Sequence, residues 1–377
     1  MDHVLAAALA FGVPFLLSAL LTALVRKVSA RVGFVDKPGG RKAHERPMPL
    51  GGGVAMFLAW AIPVGALLLA VALYPPSQWA GKPGGAPPTD LLRHLAGAAW
   101  RAKPIALLLA GASIIMLLGL LDDLRGLSAA LRTFVMLGVA TWLYLASPEL
   151  RVTLFAGWAA LSFAYTVLWI YGITNSFNFL DNTDGLSAGV AMVASVILAV
   201  VGFQTEQYLM AWLALALAGS AAGFLVFNFP PARIFMGDAG SLFLGFTLSV
   251  LTILFTFYRG DVTPSGRLYS VLTPLFILAL PVFDTLTVVV IRLRERRPIW
   301  QGDRSHFSHR LLALGMTRRE AVLFIYLVTF CLGLASTLLH SLDDVGAVII
   351  FVIGVTIFVL IALLERAGRR ENKRPDA

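Results

Sequence analysis

Residues 104–123 read PIALLLAGASIIMLLGLLDD, an apolar run that ends abruptly in Asp122 and Asp123. A helix that crosses a membrane needs about 20 mostly apolar residues, so this run predicts a span with two carboxylates at one end. Eleven such stretches follow one another along the chain: 4–25, 53–74, 104–121, 129–146, 154–174, 186–203, 208–227, 241–257, 269–291, 321–340 and 346–364. We therefore predict an all-α polytopic membrane protein with 10 or 11 transmembrane helices.

The composition of the whole chain supports a membrane protein. Of its 377 residues, 58% are hydrophobic and 14% are charged, and the mean hydropathy is +0.81. A soluble protein would carry more charge, and a spanning barrel would show short alternating strands. Basic residues follow the first stretch, so we expect it to remain as a span. We predict one integral membrane domain over 1–364 and a basic tail over 365–377.

The distribution of positive charge predicts the orientation. Of the 30 Lys and Arg residues, 23 lie in one alternating set of loops: 26–52, 122–132, 172–188, 228–240, 292–320 and 365–377. Loops rich in Lys and Arg face the cytoplasm, so we predict an outer N-terminus and a cytoplasmic C-terminus in the cell inner (plasma) membrane. The formal charge of +9 reflects this bias and does not indicate nucleic-acid binding.

Five polar clusters fall within these predicted cytoplasmic loops. They are Asp36 to Gly53, Asp122-Asp123, Asn175 to Gly185 (NSFNFLDNTDG), Met236 to Ser241 (MGDAGS) and Asp303 to Arg310 (DRSHFSHR). Carboxylates are rarely kept near hydrocarbon without a role. We therefore predict one polar site at the cytoplasmic face.

The acidic clusters suggest a metal-dependent phosphate site. Asp122 and Asp123 are adjacent, and neighbouring carboxylates repel each other unless a cation lies between them. Mg²⁺ is commonly shared between carboxylates and substrate phosphates. A solvated helix end is the alternative for this pair.

The two following acidic clusters could extend that site. Asn175, Asn178, Asp181 and Asp184 recur at intervals of three, so they would form one polar stripe if the segment is helical. Asp238 opens an apolar stretch between two glycines, where a helix N-terminus could receive an anion. Capping of the neighbouring helices is the alternative for both segments.

The basic residues suggest contacts to phosphate. Arg233 precedes the MGDAGS cluster, and Arg304 lies beside His306 and His309; these side chains suit a diphosphate group. Lys42 and His44 lie in the first loop and are equally consistent with simple charge bias. Asp284 falls inside the predicted span 269–291, where either a functional or a hydrogen-bonded structural role is open.

The clusters together resemble the polyprenyl-phosphate N-acetylhexosamine-1-phosphate transferases. The tokens LLDD, NSFNFLDNTDGL, IFMGDAGSLFLG and DRSHFSHRL carry this resemblance across nearly the whole chain. It implies a membrane transferase that moves N-acetylglucosamine-1-phosphate, or a related N-acetylhexosamine-1-phosphate, from a UDP-sugar to undecaprenyl phosphate and releases UMP. It also implies a requirement for Mg²⁺, with Mn²⁺ as a substitute, and leaves a homodimer open.

The resemblance also implies roles for individual residues. The catalytic set would be Asp122, Asp123, Asp181, Asp184, His306 and His309. Asp238 and Asp123 would bind the metal ion. The resemblance places Lys42 and His44 near the lipid phosphate or the diphosphate. The chemistry of the residues themselves adds four positions, so the predicted substrate-binding set is Lys42, His44, Asn175, Asn178, Arg233 and Arg304. Two positions depart from the common pattern, since Asn182 replaces a usual Gly and Ser308 replaces a usual His.

Two alternatives remain open at this point. A phospho-N-acetylmuramoyl-pentapeptide transferase of peptidoglycan synthesis would use the same chemistry with another donor. A secondary transporter would place its ionisable groups near the bilayer midplane in repeated halves, which the one-sided clusters here do not favour.

Overall fold

A computed structural model describes residues 3–36, 47–75, 97–152, 158–255, 272–296 and 306–371, with side chains to Arg366. The described chain is almost entirely helical, which confirms the all-α class. The helices are α1 His3–Val32, α2 Gly52–Leu73, α3 Ala102–Arg125, α4 Ala129–Ala146, α5 Ala159–Leu180, α6 Leu186–Gln204, α7 Tyr208–Asn228, α8 Asp238–Leu254, α9 Thr273–Ile277, α10 Ala279–Arg294, α11 Phe307–Ala313, α12 Arg318–Ser336 and α13 Asp344–Glu371. A 3₁₀ turn spans Pro148–Leu150. Strands β1 (Val35–Asp36) and β2 (Met48–Pro49) pair antiparallel, with Val35 opposite Pro49.

Eight of the described helices are long and apolar enough to cross a membrane: α1, α2, α3, α4, α6, α7, α12 and the part of α13 from Asp344 to Arg366. Three predicted stretches differ from that simple picture. The stretch 154–174 becomes α5, which begins at Ala159 and continues into the polar cluster as far as Leu180. The stretch 241–257 becomes the shorter helix α8. The count of eleven spans stays a prediction.

The third stretch, 269–291, is interrupted. The helix breaks at Leu278, which separates α9 from α10. Pro281 follows three residues later and has no N–H to donate to the carbonyl of Ile277, so the hydrogen-bond ladder cannot continue across the break. As a result, α10 starts afresh at Ala279 and carries Asp284 in its second turn.

Helix α8 lies at the centre of the bundle. Nearly all of its residues are buried, and it packs against α2, α3, α5 and α6. A helix that is apolar on every side belongs inside a large protein or membrane bundle. By contrast, α1 and α13 expose many large apolar side chains, as expected of helices that face lipid.

Two glycines bring neighbouring backbones against the start of α8. A Cβ atom on Gly53 of α2 would lie 2.1 Å from the amide nitrogen of Gly240. A Cβ atom on Gly119 of α3 would lie 2.4 Å from the carbonyl oxygen of Asp238. Only glycine permits these approaches. They place the acidic end of α3 directly beside the first residue of α8.

Candidate active site

One cavity of about 620 Å³ opens where several helix ends meet. Each of the five polar clusters contributes to its wall, represented by Asp36, Asp123, Asp181, Gly237 and His309. The clusters that the sequence pattern expected at one site are therefore brought together around one space. Its volume lies in the range of ordinary small-molecule sites.

Asp123 occupies the N-terminus of α8. Its Oδ1 accepts the N–H of Asp238 at 2.8 Å, and its Oδ2 accepts the N–H of Ala239 at 3.1 Å. The backbone of Gly237 has φ +74°, and a Cβ there would fall 2.4 Å from Asp123 Oδ2. We expected a substrate anion at this helix end. The structure places the carboxylate of Asp123 there instead, because the glycine contacts bring α3 so close.

Arg132 links two carboxylates of the site. Its Nη1 lies 2.5 Å from Asp122 Oδ2 and 3.0 Å from Asp238 Oδ2. Asp122 also accepts the N–H of Leu127 at 2.6 Å and is 9% exposed. Asp122 therefore lies behind Arg132 and does not line the cavity. Nothing in the sequence pattern distinguished Arg132 from the other positive charges at helix ends.

Asn178 connects α5 to the same carboxylate. Its Nδ2 donates to Asp238 Oδ1 at 2.8 Å and to Ser241 Oγ at 3.0 Å. Asn175, one turn earlier, donates back to the carbonyl of Tyr171 in its own helix at 2.8 Å. Of the predicted substrate-binding amides, Asn178 is thus the one that contacts the acidic cluster.

The expected polar stripe is only partly formed. Helix α5 ends at Leu180, so Asp181 and Asp184 lie in the following turn and not on the face that carries Asn178. Residues such as Asp, Asn and Gly favour turns because their side chains compete with the helical hydrogen bonds. Both aspartates still line the cavity.

The turn after α5 is fixed to the segment that precedes α8. Asp184 Oδ2 accepts the N–H of Ala232 at 3.0 Å. The buried Asn228 accepts the N–H of Gly185 at 2.9 Å and donates to the carbonyl of Ile234 at 2.8 Å. These bonds hold the two acidic loops in one arrangement, which leaves Asp181 directed at the cavity.

Asp181 has an altered acidity. Burial raises its pKa well above the ordinary carboxyl value, and repulsion from Asp238, Asp123 and Asp184 raises the pKa further. A carboxyl group in this setting binds either a proton or another cation. The acidic side of the cavity therefore carries more negative charge than its own surroundings neutralise.

The donor set is compatible with Mg²⁺. Within the residues that the structure describes, no three His, Cys, Asp or Glu side chains are arranged around a common metal position. Mg²⁺ does not require such a cage, because one or two carboxylates, water and substrate phosphates commonly complete its shell. Asp123 and Asp181 line the cavity and Asp238 adjoins it, so oxygen ligands of the suitable type are present.

The two predicted catalytic histidines have different surroundings. His309 lines the same cavity as Asp123, Asp181 and Asp184. His306 is 5% exposed, does not line the cavity, and has its Nδ1 2.8 Å from Asp284 Oδ2. His306 is therefore placed behind the cavity wall, since that hydrogen bond turns its ring into the protein.

The remaining predicted contacts are distributed unevenly. Arg233 is exposed and does not line the cavity, although Ala232 and Phe235 on either side of it do. Lys42, His44 and Arg304 fall outside the described residues. Arg318, at the start of α12, lines the cavity although no motif predicted it. It is the first residue after the helix cap Thr317, a position that sequence alone marks only as a helix start.

Comparison with known proteins identifies the family of the chain. A model of glycosyl transferase family 4 matches residues 105–256. A probable undecaprenyl-phosphate N-acetylglucosaminyl 1-phosphate transferase of Bacillus subtilis is 35% identical over 342 residues, covering 88% of this chain and 84% of that protein. A decaprenyl-phosphate N-acetylglucosaminephosphotransferase of Mycobacterium tuberculosis is 32% identical, covering 92% and 86%. An undecaprenyl-phosphate alpha-N-acetylglucosaminyl 1-phosphate transferase of Yersinia pestis is 27% identical, covering 93% and 88%.

Proposed function

Because the chain belongs to glycosyl transferase family 4, we propose that it transfers N-acetylglucosamine-1-phosphate from a UDP-sugar to undecaprenyl phosphate and releases UMP. The observation that carries the proposal is a cavity whose lining combines Asp123, Asp181 and Asp184 with His309 and Arg318 at the ends of apolar helices. A membrane-embedded acceptor and a soluble donor can meet at such a place. The product would start a lipid-linked polysaccharide of the cell envelope.

The names of the relatives support the choice of sugar. Those described above are named for N-acetylglucosamine, and none of them for a muramoyl-pentapeptide. Family membership also speaks against a secondary transporter. N-acetylglucosamine is therefore the donor sugar that we propose, and the cytoplasmic face is the side on which we expect the cavity to open.

Phosphoryl transfer depends mainly on positioning and charge neutralisation. An oxygen of the lipid phosphate attacks the phosphorus that bears the sugar, and the bond from that phosphorus to the bridging oxygen of UMP breaks. A phosphate monoester is already largely ionised at neutral pH, since its second pKa is about 6. The attack therefore needs orientation more than it needs a strong base.

The acidic residues and the basic residues at the cavity would have different tasks in this reaction. Asp123, Asp181 and Asp238 would hold Mg²⁺, which when bound neutralises phosphate charge and orients the phosphate oxygens. His309 and Arg318 supply positive or donor groups for the diphosphate and the departing UMP. Arg132 keeps Asp238 beside Asp122 and so fixes one of the carboxylates.

The geometry favours direct transfer over an aspartyl-phosphate intermediate. Asp122 is buried behind Arg132, and both oxygens of Asp123 accept backbone N–H groups of α8. A carboxylate that is engaged in this way is a poor nucleophile, because attack would break those hydrogen bonds. We therefore expect no phosphorylated enzyme to accumulate during turnover.

The experiment is an assay of the purified protein in detergent with UDP-N-acetylglucosamine, undecaprenyl phosphate and Mg²⁺. We expect UMP and lipid-extractable sugar to form together, to stop on adding EDTA, and to resume with Mg²⁺ or Mn²⁺. Asp238→Asn should abolish turnover, whereas the exposed Asp344→Asn should retain it. Product formation with a UDP-muramoyl-pentapeptide alone would overturn the donor, and product in the presence of EDTA would overturn the metal.

A further inference from the structure

The side chains from His306 to Arg310 differ in their surroundings: some are buried in the protein, and one lines the cavity. His306, Phe307, Ser308 and Arg310 are all buried in the protein. His309 is half-buried and lines the cavity. The orientation of this short stretch therefore decides whether His309 reaches the substrate.

Asp284 is hydrogen-bonded to the start of that segment. It lies in α10 and is 1% exposed. Its Oδ2 is 2.8 Å from His306 Nδ1, and its Oδ1 accepts the N–H of Phe307 at 2.6 Å. Both oxygens are thus directed at the beginning of α11. A carboxylate buried in an apolar helix is costly unless it is hydrogen-bonded, and here the bonds converge on one neighbouring element.

His306 therefore acts through its neighbours. Its ring is buried, packs beside the ring of Phe179 with centroids 6.3 Å apart, and does not line the cavity. A carboxylate at one ring nitrogen fixes the orientation and tautomer of a histidine. The role that the resemblance implied for His306, direct catalysis, is better assigned to His309.

Other bonds restrain the same segment from further sides. Ser308 Oγ donates to Asn182 Oδ1 at 2.5 Å. Arg310 Nη2 donates to Thr287 Oγ1 at 3.3 Å, and Arg310 Nε lies 3.2 Å from Glu365 of α13. Asp284, in addition, accepts the backbone N–H of Phe307, the first residue of α11, so it restrains the position of the helix start.

We propose that Asp284 is a positioning residue that, through His306 and the N–H of Phe307, holds His309 against the reacting phosphates. The proposal rests on the proposed function and adds a residue to it. Asp284 does not line the cavity, so we expect it to affect the reaction only through the position of α11.

Three variants test the proposal. Asp284→Ala removes both acceptors, and we expect kcat to fall about 100-fold with little change in KM, as expected when a group is displaced by about 1 Å. Asp284→Asn can still accept from Phe307 and donate to His306 Nδ1, so kcat should stay within about tenfold of the wild type. Leu286→Ala, on the lipid-facing side of the same helix, is the matched control and should behave as the wild type.

His306→Asn separates the bond to Asp284 from direct catalysis by His306. The amide nitrogen of the new asparagine can replace Nδ1 but not Nε2. We expect this variant to retain much more activity than His309→Ala. A merely structural role would lower the yield of folded protein without changing kcat per folded molecule. Equal losses for Asp284→Asn and Asp284→Ala, or an inactive His306→Asn, would overturn positioning through these bonds.

A second readout does not depend on turnover. Carbethoxylation of histidines, mapped by peptide mass spectrometry, should spare His306 and modify His309 in the wild type. In Asp284→Ala, His306 should become reactive, whereas in Asp284→Asn it should remain protected. Protection that persists in Asp284→Ala would overturn the proposal. A wild-type protein without transferase activity would overturn the proposed function. The labelling would still show whether Asp284 protects His306.

Discussion

The two walls of the cavity are built on different principles. The acidic wall consists of Asp123, Asp181 and Asp184, which line the cavity, and of the adjoining Asp238, whose carboxylate is bonded to Arg132. The histidine wall is the part of the cavity lined by His309; the surrounding segment, His306 to Arg310, is held by separate partners, such as Asp284 for His306. The first wall is short of positive charge and needs a cation, whereas the second is held in place by its own bonds. The comparison suggests that the acidic wall provides charge for binding a cation, whereas the histidine wall fixes the position of His309.

Within the lining of the cavity, Asp181→Asn tests the acidic wall most directly. This change keeps the shape of the side chain but removes its charge, so a bound cation loses a ligand. We expect kcat/KM to fall about 1,000-fold, the upper part of the range for losing one preorganised electrostatic group. Activity should be measured over a wide range of Mg²⁺ concentrations. Near-normal activity at saturating Mg²⁺ would remove Asp181 from the reaction.

Variants of Arg132 test whether its guanidinium group is as important to the reaction as the bound Mg²⁺. Arg132→Ala leaves Asp122 and Asp238 without the guanidinium between them, so we expect a loss of about 100-fold in kcat. The Mg²⁺ concentration for half-maximal rate should fall, because the site becomes more negative. Arg132→Lys keeps the charge and should recover most of the rate. A variant Arg132→Lys as poor as Arg132→Ala would show that the fork geometry, and not the charge, is required.

The acidic wall should also reduce stability when no metal is present. The raised pKa of Asp181 means that the folded protein binds its proton more tightly than the unfolded chain does. The free energy of unfolding in EDTA should therefore decrease as pH rises from about 4, the unfolded value, through the raised pKa. Asp181→Asn should flatten this dependence and raise the melting temperature at pH 7 by about 2 °C or more. An unchanged pH profile in thermal unfolding would contradict the assignment.

The smallest effect is expected where the two walls touch. Ser308 donates to Asn182, and the sequence resemblance predicts that both positions depart from the common pattern. Asn182→Gly and Ser308→Ala should each lower the rate by about fivefold, the equivalent of one hydrogen bond. Because both changes remove the same bond, the double variant should be no worse than either single one. Additive losses would show that the two residues act separately.

Much of the fold could be predicted because it depends on local composition. The apolar runs are long, and the carboxylate pair at Asp122-Asp123 stands out against them. The polar clusters that meet at the cavity were visible for the same reason. The break at Leu278 and the end of α5 at Leu180 were missed, since both depend on where individual helical hydrogen bonds fail.

The partners within the site could not be predicted, because they come from distant parts of the chain. Arg132 lies 106 residues from Asp238, and Asp284 lies 22 residues from His306. Histidines three residues apart look alike in sequence, yet the phase of α11 buries His306 and presents His309. Such differences require the packing of whole helices.

The most direct test of the account follows the phosphorus that bears the sugar. UDP-N-acetylglucosamine labelled with ³²P at that phosphorus would be incubated with the purified protein, undecaprenyl phosphate and Mg²⁺. The account predicts that the label enters the lipid extract together with the sugar and that the released UMP carries none. Label that remains in water-soluble UDP while sugar alone enters the lipid would contradict it.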